Sequence, residues 1–141
     1  MKQICVIDGQ GGGIGSAVIK KIKELFNENF EIIALGTNAI ATAQMLKARA
    51  NRGASGENAI VQTVRNVDII IGPIGIIIAH AMMGEVTTGI AEAVSLSPAK
   101  KFLIPLSQEN IELVGITAMP LPRILEALIE EHVHKFYKNN K

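Results

Sequence analysis

The sequence is poor in the residues that several functions require. It has one cysteine, Cys5, so no internal disulfide framework can form, and a reducing, cytoplasmic setting is expected. Cys5 sits inside an apolar run and reads as a small buried hydrophobe. Tryptophan is absent and aromatic residues make up only 4% of the chain, too few for base-stacking platforms. Charge of neither sign dominates: the formal net charge is +1 and the charges are dispersed, so no basic nucleic-acid face is expected. The longest apolar tract, residues 69–83, is interrupted by Gly72, Pro73, Gly75 and His80. It is shorter than the roughly 18–20 residues of a membrane span. Asp8 and the glycines after it cut short the N-terminal apolar run, so no signal peptide is expected either.

Hydrophobic residues, by contrast, make up 48% of the 141 residues, enough for the core of one domain over residues 1–141. Glycine is plentiful, and its densest cluster follows the first apolar run. Ile4-Cys5-Val6-Ile7-Asp8 leads into Gly9, Gln10, Gly11, Gly12, Gly13, Ile14, Gly15 and Ser16. An amphipathic segment comes next, with Ile14, Val18, Ile22 and Leu25 on one stripe and Lys20, Lys21 and Lys23 away from it. This is strand, glycine turn, helix, the opening unit of a nucleotide-binding α/β fold. Glycines let the backbone approach a bound oxygen closely, and the unpaired N–H groups at the helix start favour phosphate or carboxylate. Ser16 could add a hydroxyl.

The spacing narrows the possibilities. G-x-G-x-x-G fails in either frame, and no Gly-Lys-Ser/Thr follows, which excludes a Walker A loop. Gly9, Gly13 and Gly15 do fit G-x-x-x-G-x-G, which resembles the cofactor turn of short-chain dehydrogenases. The second strand, residues 30–35, ends at Gly36-Thr37-Asn38, where a dinucleotide binder carries a ribose-binding acid. No acid stands there, which weakens ordinary NAD binding. Thr37 and Asn38 could bond a ribose or phosphate, or Asn38 could cap the helix expected over residues 39–50. Arg49 and Arg52 close that helix as favourable C-terminal charges or as a 2′-phosphate site.

Residues 67–71 form an expected third strand, buried and parallel, ending at Gly72, Pro73, Ile74 and Gly75 on the sheet edge shared with the glycine turn. Residues 76–83 could be strand or helix. His80, in apolar surroundings, reads as a core histidine or as half of an acid–base pair with Glu85. Glu85 is expected to open a helix over residues 86–96, with Thr87 and Thr88 as weaker pocket candidates. Residues 101–105 and 111–116 are the expected fourth and fifth strands. Pro120 and Pro122 suit the start of a last helix with Ile124, Leu125, Leu128, Ile129 and Val133 on one face. The tail, Lys138-Asn139-Asn140-Lys141, is expected to fray.

Other constellations fail. Tyr137-x-x-x-Lys141 matches the dehydrogenase Y-x-x-x-K only in letters, because the tail could hardly hold a catalytic pair. His132 and His134 fall on different sides of a helix, so they make no zinc pair. A receiver-domain reading of Asp8 lacks its partner acid at the third strand's end. Through residues 8–15, Gly36-Thr37-Asn38-Ala39 and Gly72-Pro73-Ile74-Gly75, the chain resembles a family of small bacterial proteins, the domain of unknown function 3842. That resemblance covers nearly the whole length and implies a stand-alone bacterial domain, with no catalytic residues to carry over.

The expected fold is thus α/β, a three-layer Rossmann-like sandwich of about five mostly parallel strands with helices on both faces. The leading expectation is a cytoplasmic sensor or partner subunit. It would bind a nucleotide or other phosphorylated ligand across Gly9 to Ser16, Thr37–Asn38 and Gly72 to Gly75. A small NAD(P)-dependent oxidoreductase, completed by homo-oligomerisation and using His80 or Glu85, is the alternative. A structural oligomer without a small ligand is the third reading.

Overall fold

The computed structural model of the chain describes residues 1–106 and 110–140. Five strands form one sheet: β1 (Lys2–Asp8), β2 (Phe30–Gly36), β3 (Arg52–Ser55), β4 (Ile69–Pro73) and β5 (Lys100–Ile104). Their order is β3-β2-β1-β4-β5 and every neighbouring pair is parallel. The chain winds outward from β1 through β2 to β3, then returns to β4 on the other side of β1. The strand order therefore reverses between β1 and β4, where open α/β sheets form their ligand crevice.

Alternation along the strands builds two cores. Ile4, Val6, Ile32, Ala34, Ile69 and Ile71 face α1 (Gly13–Phe26), Met45 of α2 (Ala39–Lys47) and the last helix. Cys5, Ile7, Ile33, Leu35 and Ile70 face α3 (Glu57–Thr63) and α4 (Thr88–Leu96). With both faces covered, the central strands must be apolar throughout, and they are. The last helix runs from α5 (Leu121–Ala127) through a π-helical stretch, Leu128–Val133, into α6 (His134–Asn139). As the periodicity predicts, Ile124, Leu125, Leu128, Ile129 and Val133 are all buried.

Five expectations need correction. Residues 111–116 form no strand: Gly115 has φ +87°, a turn interrupts extension there, and Val114 is 97% exposed. The fifth strand is instead Arg52–Ser55, whose Arg52 was expected to close the second helix. Residues 76–83 are neither strand nor helix, but a 3-10 turn (Ile74–Ile77) followed by tight turns. In α1, Leu25 is 51% exposed and Phe26 takes the buried place, because four-residue steps from Val18 and Ile22 lead to 26. Lys23, expected outside, is buried, with its ammonium 2.8 Å from Glu28.

Candidate functional site

Asp8, the last residue of β1, organises the glycine turn. Its side chain turns back under the start of α1, where Oδ1 accepts from Gly9 N at 2.8 Å and Oδ2 from Gly15 N at 2.7 Å. Burial pushes the Asp8 carboxyl above its ordinary range. The N–H groups of Gly15, Gly9 and Ile14 pull the other way, and the Glu85 charge adds to the rise. The Ile14 and Gly15 N–H groups at the start of α1 are thus already held by the protein itself. The sequence reading passed over this role because a capping aspartate normally precedes its helix directly. Here it stands five residues earlier.

The five glycines of the turn divide into two groups. Gly9, Gly12 and Gly15 have internal reasons. A Cβ on Gly9 would lie 2.6 Å from Met82 Sδ, and one on Gly15 would lie 2.5 Å from Met45 Sδ. Gly12 has φ +74°, and a Cβ there would lie 2.8 Å from the Ala41 carbonyl oxygen. Gly11 and Gly13 have no such reason. Both are exposed, neither has a left-handed φ, and a Cβ on either would meet nothing within 4 Å. Their N–H groups meet no acceptor among the described residues.

Glu85 reaches this turn from the other side of the reversal point. Its Oε1 accepts from Gln10 N at 2.8 Å, Thr37 Oγ1 at 2.6 Å and Asn38 Nδ2 at 2.8 Å. The bonds from Thr37 and Gln10 hold its carboxyl below the ordinary glutamate range, assisted by Asn38. A carboxylate thus stands beside the end of β2, supplied by the segment after β4. Glu85 does not open the next helix. It precedes the cap residue Thr87, whose hydroxyl accepts from Ile90 N and donates to Glu57. The turn that delivers Glu85 holds His80, Met82 and Met83 at φ +69°, +57° and +56°, with Gly84 at +88°. Left-handed backbone at three non-glycine residues is uncommon and collects at functional sites.

The remaining candidates divide between the turn and the sheet. Ser16 Oγ donates to Gly12 O at 2.7 Å, so its hydroxyl proton braces the turn. Ile14 is half-buried against the core. Asn38 caps α2 through Ala41 N and also donates to Gln10 O at 3.1 Å. Gly72 and Pro73 are buried within β4, where a Cβ on Gly72 would lie 2.5 Å from Ile7 O. Ile74 is half-buried and Gly75 buried in the 3-10 turn that follows.

His80 is no core histidine. It is exposed, because the left-handed turn folds its buried neighbours Ala81 and Val86 inward and leaves the imidazole outside. Arg52 binds Glu31 at 2.8 Å, and Arg49 is exposed after the end of α2. His132 packs at a tilt against Phe102, and His134 meets Phe26 edge to face. Lys141, of the Tyr137-x-x-x-Lys141 match, lies outside the described residues. Burial pushes the Cys5 thiol up to about 12, as suits an inert core residue.

The family whose sequence pattern fits this chain is described as "Domain of unknown function (DUF3842)", and the match spans residues 3–137. The chain belongs to this family. No curated protein matches it. Among solved structures, it is similar to a dodecameric FMN-dependent UbiX-like decarboxylase from Escherichia coli O157:H7, with 16% identity and a TM-score of 0.46. That alignment covers 96% of this chain and 94% of the other. No helix among the described residues is long and apolar enough to cross a membrane.

Proposed function

We propose that this domain binds a nucleotide or similarly phosphorylated ligand on the glycine turn after β1, beside Thr37 and Asn38. The observation that carries the reading is the pair Gly11 and Gly13. A glycine costs backbone entropy, and neither position repays it inside the protein. Both leave open space and unmatched N–H donors next to the positive end of α1, an arrangement suited to close approach of a phosphate oxygen. Gly72, Pro73 and Gly75, expected to let backbone approach the ligand, are buried in β4 and the turn after it and are left out of the site.

Binding is favoured over catalysis by what surrounds the turn. Glu85 is held ionised well below neutrality, whereas a general acid or base works best with its pKa near the operating pH. His80 has no hydrogen-bonded side-chain partner to orient it among the described residues. The role is therefore that of a sensor or partner subunit.

A thermal-shift panel of NAD, NADP, ATP, ADP-ribose, S-adenosylmethionine, coenzyme A and sugar phosphates tests this, with Gly13→Val as control. A ligand at 100 times its Kd should stabilise the wild type by about 2.7 kcal/mol. The Gly13→Val protein should remain folded, since its Cβ enters open space, and should lose the shift. A flat panel with folded protein, or a shift that survives Gly13→Val, would refute the reading.

A further inference from the structure

We infer that Glu85 selects the ligand, and that the site takes a ribonucleotide whose ribose keeps both hydroxyls free. This rests on the reading of the glycine turn as the binding site and specifies its substrate class. The three protein donors to Glu85 all converge on Oε1. Oε2 has no hydrogen-bond partner among the described residues, and the side chain is only partly buried. A carboxylate fixed by one oxygen, at the C-terminal ends of β1 and β2, has its other oxygen left to accept hydroxyl protons. That is the requirement for recognising a vicinal diol at this edge of a doubly wound sheet. Fixing Oε1 in advance lowers the entropy lost when the diol binds.

The charges around the turn point the same way. Asp8 and Glu85 are its carboxylates, and residues 9–16, Thr37 and Asn38 include no Lys or Arg. Of the two arginines considered for a 2′-phosphate, Arg52 is paired with Glu31 at 2.8 Å. A ribose carrying a second phosphate would meet negative charge with no cation to offset it. A free diol instead brings two neutral donors to an oxygen that lacks them.

The test compares NAD with NADP, which differ by the 2′-phosphate, and ATP with dATP, which differ by the 2′-hydroxyl. Titrations use the wild type, Glu85→Gln and Gly13→Val, with circular dichroism to confirm folding. The wild type should bind NAD at least about tenfold more tightly than NADP, and ATP about tenfold more tightly than dATP, the scale of a hydrogen bond to a charged group. Glu85→Gln should weaken NAD and ATP while narrowing both ratios. Discrimination in the wild type can be read without any variant, so a poorly folded Glu85→Gln protein leaves the test intact. If binding is lost in Gly13→Val yet the wild type treats each pair alike, the site stands and Glu85 is not its selector. Tighter binding in Glu85→Gln would likewise overturn the assignment, because Glu85 would then be blocking the site. If no probe binds the wild type, this inference fails together with the reading beneath it.

Discussion

At the scale of single residues, two carboxyls govern the glycine turn and respond to acid in opposite ways. Glu85 has a folded pKa below its ordinary 4.5, so its bonds stabilise the fold above that value and are lost as pH falls through the folded pKa. Asp8 has a folded pKa raised above 3.8. Its protonated form is favoured in the fold, and that contribution is fully present below 3.8 and lost as pH rises through the folded value. Because the two oppose each other, global stability is a poor reporter, whereas a local amide is a good one. The Gln10 N–H donates directly to Glu85, so its NMR shift should titrate with an apparent pKa below 4.5, and Glu85→Gln should abolish the transition. A Gln10 amide that titrates at or above 4.5 would show that the bond does not hold Glu85. Neither carboxyl was placed by sequence reasoning. Asp8 was read as the end of an apolar run and set aside as a receiver-domain acid, and Glu85 lies 48 residues from Thr37, its shortest partner. Only the return of the chain from β3 across β1 to β4 brings those two together.

At the scale of elements, legibility followed the apolar pattern. β1, β2, β4 and β5 were readable because a strand covered on both faces or packed beside one needs a nearly continuous apolar run. The last helix was readable because its five core positions keep the helical period. β3 was not readable, since Arg52-Gly53-Ala54-Ser55 carries no such run. It is held instead by polar bonds, with Asn51 Oδ1 accepting from Ile32 N at 2.8 Å and the Ser55 hydroxyl 2.7 Å from Thr42 Oγ1. Within the glycine turn the sequence showed the cluster but not its division of labour, which depends on φ and on neighbours from α2. That division makes a prediction for stability. Gly12→Ala places a Cβ at φ +74° and 2.8 Å from backbone oxygen, and should cost about 1–3 kcal/mol. Gly13→Ala enters open space at the first position of α1, so it should be neutral or stabilising by up to about 1 kcal/mol. Urea unfolding of both variants would check this, and equal losses would mean that Gly13 is as structurally committed as Gly12.

At the scale of the whole molecule, the two edges of the sheet differ. β3 is four residues long, polar and carries Arg52 in an ion pair, features that blunt an edge against pairing. β5 ends the sheet on the other side with Phe102 and Leu103 half-buried. Beside it lies a groove of about 780 Å³, lined in part by Phe102, Leu106, Ile116, Met119 and Leu128. Val114, Ile116 and Met119 are 97%, 54% and 43% exposed. Exposed apolar side chains occur elsewhere too, among them Ile40, Met83 and Leu96, but here they adjoin an apolar groove, which suits an interaction face. For a symmetric assembly the same face would serve both partners. Self-association is therefore expected through the β5 side, read as a concentration-dependent mass in light scattering coupled to size exclusion. Val114→Asp with Met119→Asp should return the mass to that of one chain, because exposed positions accept a charge in the monomer but not in a dry interface. A single-chain mass at all concentrations, or an assembly indifferent to both charges, would contradict this. The glycine turn lies at the ends of β1 and β2, with β4 between them and β5. The charged double variant should accordingly keep any ligand-induced thermal shift of the wild type, which separates assembly from binding in one experiment.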